Sequence, residues 1–143
     1  MSKFFFMGFV VSIVISSVFP AYATIKGDIR KNLSMGQVLE NALGQDPTPM
    51  RIKNAVADII KGGGDAYQVV KIALNSGLDP EAVIAGGIEG PGRLTDIFRA
   101  ALDAGYNENF ISRAASYAGE STGDIESALA IAVANSGSAG SRQ

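Results

Sequence analysis

Residues 66–89 read AYQVVKIALNSGLDPEAVIAGGIE, and they outline a helical hairpin. The first ten of them place apolar side chains at i, i+3, i+4, i+7 and i+8, which is the spacing of one buried helix face. Gly77 then favours a helix end. Asp79 and Pro80 favour a new start, because aspartate caps a helix and proline suits its first position. The stretch therefore predicts two helices joined by a short turn.

The same apolar spacing occurs four times along the chain, at intervals of 31, 28 and 31 residues. A regular interval of this size is typical of helical-repeat proteins. The copies begin at Met35, Ala66, Leu94 and Ile125. Each is followed by a glycine that favours the left-handed conformation at a helix end: Gly44, Gly77, Gly105 and Gly137. The pattern predicts four helices that descend from one repeat.

A second helix follows each of the first three copies, at 49–61, 80–89 and 108–118, after the capping residues Thr48, Asp79 and Asn107. Ser34 with Gln37 and Ser121 with Asp124 have the form of capping boxes. No segment after residue 23 alternates apolar and polar residues as a strand does. We therefore predict an all-α fold of about seven short helices. Three hairpins of about 30 residues and an unpaired seventh helix form either a short solenoid-like stack or a compact bundle.

The first 23 residues have the layout of a cleavable signal peptide. Lys3 is followed by an uncharged stretch at 4–18, and Ala21-Tyr22-Ala23 places small residues at a cleavage point. The uncharged stretch is shorter than the ~20 residues that a membrane-spanning helix needs. We expect export to a bacterial periplasm or the extracellular space, and a mature protein that is soluble and has no stable membrane anchor. The mature chain is predicted to comprise a loosely ordered segment at 24–33, a helical-repeat domain at 34–135 and a flexible tail at 136–143.

The composition excludes several kinds of chemistry. The chain has no cysteine and no histidine, which removes disulfides, thiolate nucleophiles and the commonest general base and zinc ligand. Residues 72–143 carry nine acidic and four basic side chains, which argues against nucleic acid as a partner. We expect no cofactor, no metal ion and no enzymatic activity.

The seventh helix is a candidate interface. Residues 128–134 read ALAIAVA, and a helix that is apolar on every side is buried somewhere. It is either the central helix of the domain or a surface for another protein. On the second interpretation, the candidate interface residues are Leu129, Ile131 and Val133.

Three tyrosines are a candidate platform for a small molecule: Tyr67, Tyr106 and Tyr117. The alternative is that their rings pack at hairpin junctions and leave only the hydroxyl groups in water. The carboxylates of Glu81, Glu89 and Glu120 are candidates for a hydrolytic pair, although most acidic residues here lie at helix starts, where they cap.

The glycine-rich stretch at 86–92 does not fit a phosphate-binding loop, because it follows a helix and lacks the Lys-Ser/Thr pair. Gly86 and Gly87 are instead predicted to permit a close approach between helices.

These observations favour an exported, non-catalytic helical module that binds another protein, since stacked hairpins form extended surfaces. Two alternatives remain open: a binder of an apolar or amphipathic small molecule between the helices, and a structural subunit that assembles with itself.

Overall fold

The computed structural model describes residues 21–140, and the side chains of residues 24–136 within them. This part of the chain is all-α, as predicted. It contains eight helices and no strand: α1 (Ala21–Arg30), α2 (Met35–Leu43), α3 (Pro49–Lys61), α4 (Ala66–Asn75), α5 (Pro80–Glu89), α6 (Leu94–Asp103), α7 (Glu108–Tyr117) and α8 (Thr122–Gly140).

The helices form two layers. Among the described helices, each contacts only the one or two that precede and follow it in the chain. The odd layer is therefore α1, α3, α5 and α7, and the even layer is α2, α4, α6 and α8. Contacts limited to near neighbours in the chain are the property of stacked helical hairpins.

The predicted caps are present. Ser34 and Gln37 form a complete capping box at α2, and the side chains of Thr48, Asp79 and Asn107 accept hydrogen bonds from backbone N–H groups at the starts of α3, α5 and α7. Gly44, Gly77 and Gly105 have φ of 66°, 79° and 97°, which an L side chain rarely adopts. These glycines set the turns after α2, α4 and α6.

The core lies between the two layers. Its largest fully buried side chains come from six consecutive helices, α2 to α7: Val38, Val56, Ile59, Val70, Val83, Ile84, Ile97, Phe98 and Ile111. Because every hairpin contributes to one continuous cluster, the stack has a single core. Burial of these side chains is the main source of stability.

The structure of the N-terminal segment at 24–33 differs from the prediction. It is not loosely ordered along its length, because residues up to Arg30 belong to α1. Ile25 is buried, with 3% of its surface exposed, and Asn41 Nδ2 donates a 3.0 Å hydrogen bond to Asp28 Oδ2. Ile25 and Ile29 lie four residues apart on one helix face. This short apolar pair is a weak sequence signal for a helix.

The C-terminal helix α8 shows that two further predictions were wrong. Helix α8 continues to Gly140, so Gly137 does not end it, and the predicted tail at 136–143 is helical as far as residue 140. The helix is also not unpaired, because it contacts both α6 and α7. Among the described helices it lies at one end of the stack and not at its centre.

The predicted signal peptide lies mainly outside the described residues, and residues 141–143 of the predicted tail also lie outside them. Helix α1, described from Ala21 onward, includes the predicted cleavage point after Ala23. Within residues 21–140, no helix combines the length and the apolar content that crossing a bilayer requires.

Candidate functional site

Helix α5 packs very closely against its neighbours. The reason is that Gly86 and Gly87, which have no side chain, lie on its packed face. A Cβ atom at Gly86 would lie 2.5 Å from the Lys53 carbonyl oxygen and 2.9 Å from Val56 Cβ. A Cβ atom at Gly87 would lie 3.1 Å from side-chain carbons of Ile97 and Val70. Close approach between helices, predicted for this glycine pair, is confirmed.

This recessed helix forms the floor of a groove, which we call the α5 groove. Ala82 and Ala85 form the floor. One wall is α3, with Pro49, Met50 and Lys53; the other is the end of α7, with Ala114, Tyr117 and Ala118. Asp79 and Glu81 lie at the N-terminal end of the groove, and Ile88 and Glu89 at the other. Two adjoining cavities of about 290 Å³ and 400 Å³ lie along the groove.

Two large apolar side chains stand exposed on the walls of the α5 groove. Tyr117 is 77% exposed and Met50 is 63% exposed. Only one other large apolar residue in the described chain is comparably exposed, Ile131 on α8. Exposed apolar side chains that line one concave surface are typical of a binding site.

Ion pairs cross the groove from α5 to both walls. Lys53 Nζ lies 3.0 Å from Glu89 Oε2, and Arg113 Nη2 lies 4.0 Å from Glu81 Oε1. Each of the two carboxylates on α5 therefore faces a basic side chain on a neighbouring helix. All four side chains are at least one-third exposed, so these pairs contribute little to stability.

Tyr67 joins helices of the even layer. Its hydroxyl donates a 2.7 Å hydrogen bond to Asp103 Oδ2 and accepts one of 3.2 Å from Lys71 Nζ. The Arg99 guanidinium lies 4.3 Å from the centre of its ring, a cation–π contact. Asp103 also accepts a hydrogen bond from Ser136 Oγ on α8. The cluster joins α4, α6 and α8, and Tyr67 has a packing role in it.

The other two tyrosines of the predicted platform have different surroundings. Tyr106 follows α6 and packs on Phe110, with the ring centres 5.2 Å apart. Tyr117 alone of the three lines the α5 groove. The three tyrosines thus have three separate sets of contacts and do not form one platform. The rings of Tyr67 and Tyr106 pack against other side chains, which was the alternative interpretation.

The candidate interface on α8 is divided between two faces. Leu129 is buried against the domain, and Val133 is half-buried. Ile131 is 52% exposed, on the side that also carries the exposed residues Ala130 and Ala134. Only Ile131 of the three is available to another molecule.

The candidate hydrolytic carboxylates do not form a set of three. Glu81 and Glu89 line the α5 groove at its two ends, and Glu120 lies in the turn before α8. Within the described residues, no group of three or more carboxylates is arranged to hold a metal ion.

Sequence reasoning missed Met50 and Lys53 as groove residues. A signal was present, since Met50 lies away from the apolar face of α3 that contains Ile52, Val56 and Ile59.

Comparison of the chain with known proteins finds no match among family models, curated proteins or solved structures.

Proposed function

We propose that the protein is a non-catalytic interaction module that binds a segment of a protein partner in the α5 groove. The observation that carries the proposal is the exposure of Tyr117 and Met50 on opposite walls of an alanine floor. Tyrosine is enriched among the residues that contribute most to protein interfaces. The alanines leave space for an apolar side chain of the partner to enter between them.

The carboxylates of the groove support a non-catalytic role. General acid–base catalysis by a pair of carboxylates needs the two groups to face one reacting bond. Glu81 and Glu89 are eight residues apart on α5, more than two helical turns, and each faces a basic side chain instead. Their arrangement suits recognition of charge along a bound segment.

A small-molecule binder is the second candidate. The two adjoining cavities of the groove, of about 290 Å³ and 400 Å³, are each at the lower end of the volumes of typical small-molecule sites. The groove is an open furrow above α5 with α3 and α7 as its walls, and such a shape suits a side chain of a larger partner better. Self-assembly is a third candidate and would use the exposed face around Ile131.

We also propose that the protein is exported and acts in a bacterial periplasm or outside the cell. The support is the sequence of residues 1–23, with a basic start, an apolar stretch and a small-residue cleavage point.

A pull-down from the native host tests the proposed function. The bait is the protein tagged after Gln143, as wild type and as the variants Tyr117→Asp and Met50→Asp. We expect the wild type to retain a stoichiometric partner and each groove variant to lose at least about 90% of it. A carboxylate buried in an apolar contact costs on the order of 2 kcal/mol or more, which is over tenfold in affinity.

Ile131→Asp is the matched control, because it places the same charge on another exposed large apolar side chain, on α8. It is expected to retain the partner, and circular dichroism should show the same helix content for all the variants. If only the Ile131→Asp variant lost the partner, the interface would lie on α8 and not in the groove. A clean monomer that carries a bound small molecule in native mass spectrometry would favour the second candidate.

A further inference from the structure

The α5 groove carries an excess of negative charge. Its lining contains the carboxylates Asp79, Glu81 and Glu89 and the ammonium group of Lys53, and with the Arg113 guanidinium that reaches Glu81 from α7 the net charge is −1. At one end, Lys53 and Glu89 lie 3.0 Å apart and largely neutralise each other. The excess therefore lies at the N-terminal end of α5, with Asp79 and Glu81.

The surroundings of Asp79 and Glu81 offset this charge only in part. Asp79 Oδ1 accepts hydrogen bonds from the backbone N–H groups of Glu81 and Ala82. The helix dipole there is equivalent to roughly half a positive charge, against two carboxylates. Arg113 approaches Glu81 only to 4.0 Å, and both side chains are more than half exposed. The Glu81 carboxylate thus remains open to a closer cation.

The apolar part of the groove begins where this charge lies. Met50 and Ala82 line the same cavity as Asp79 and Glu81, and Tyr117 forms its opposite wall. A side chain seated between Met50 and Tyr117 would therefore have carboxylates next to it at one end. A partner matched to this surface combines an apolar group and a positive charge a few residues apart.

We propose that the α5 groove recognises a basic apolar peptide segment: one bulky apolar side chain between Met50 and Tyr117, with a lysine or arginine next to it that pairs with Glu81 and Asp79. This inference rests on the proposed function and specifies the chemistry of the partner. Complementarity of this kind gives specificity and a faster association rate more than it gives affinity.

Selection from a library of displayed random peptides tests the inference. The protein purified from its own host is the target, and the Tyr117→Asp variant is used in parallel to remove peptides that bind elsewhere. We expect enriched peptides to contain an aromatic or large aliphatic residue with lysine or arginine within about three positions. Their affinity should fall about two- to five-fold with Glu81→Gln, as for other exposed ion pairs, and should fall again in high salt.

Glu126→Gln on α8 is the control, since it removes an exposed carboxylate away from the groove. It should leave peptide affinity unchanged. Enrichment of Tyr117-dependent peptides without basic residues, or equal affinity of the Glu81→Gln variant, would overturn the inference and leave the proposed function standing. An absence of any Tyr117-dependent enrichment would overturn both.

Discussion

Gly86→Val is expected to lower the free energy of unfolding by about 3 kcal/mol, at the upper end of the cost of overpacking a core. A Cβ atom at this position would lie 2.5 Å from the carbonyl oxygen of Lys53, which is a backbone atom and cannot rotate away. Relief of this clash requires α5 to move away from α3, which separates the floor of the groove from its α3 wall.

Gly87→Ala is the comparison for this effect. Its nearest neighbours at 3.1 Å are side-chain carbons of Ile97 and Val70, which shift more easily than backbone. We expect a smaller loss of stability for Gly87→Ala than for Gly86→Val. Gly36→Ala in α2 has no neighbour closer than 4.0 Å and should be neutral or stabilising by up to about 1 kcal/mol, since alanine is the better helix former.

Urea denaturation followed by circular dichroism measures all three variants. The expected order of stability is Gly36→Ala, then Gly87→Ala, then Gly86→Val. If Gly86→Val unfolded at the same urea concentration as the wild type, α5 would not lie as close to α3 as described. The close contact between α3 and α5 would then not fix the position of the groove floor.

Removal of α8 is expected to have the largest effect on the domain. A chain that ends at Ser121 should lose roughly 5 kcal/mol, because the helix buries Ile125, Ala128, Leu129 and Ala132 against the stack. That loss is comparable with the whole stability of many small domains. The truncated protein should unfold at a much lower temperature or fail to fold cooperatively.

Ile131→Asp is the control for this truncation as well, because it alters the outer face of the same helix. Its thermal midpoint should be close to that of the wild type, since exposed substitutions usually change stability by less than about 0.5 kcal/mol. A truncated chain with an unchanged midpoint would show that α8 contributes little to the core. The apolar residues of α8 would then be available to bind another molecule.

Most helix boundaries could be predicted from local signals in the sequence. The bounds of α3 and α5 follow from a capping residue, a proline at the first position and the apolar period after it, and they agree with the structure. Helix α1 was missed because its apolar face consists of little more than Ile25 and Ile29. The end of α8 was misplaced because Gly137 was taken to stop a helix that continues to Gly140.

The α5 groove could not be predicted from local signals, because it combines residues far apart in the chain. Met50 and Tyr117 are on α3 and α7, and they form one groove only because α5 is recessed between them. The sequence indicated the recess, through Gly86 and Gly87, but did not indicate which side chains would stand beside it. Tyr117 was selected among three tyrosines without a means of separating it from Tyr67 and Tyr106.

Site-specific photocrosslinking in the native host is the most direct test of the α5 groove as a binding site. Benzoylphenylalanine replaces Tyr117 in one strain and Ile131 in another, and the adducts are identified by mass spectrometry. We predict a single protein adduct, formed on irradiation, from position 117 and none from position 131. An adduct from position 131 alone would contradict the assignment of the interface to the groove.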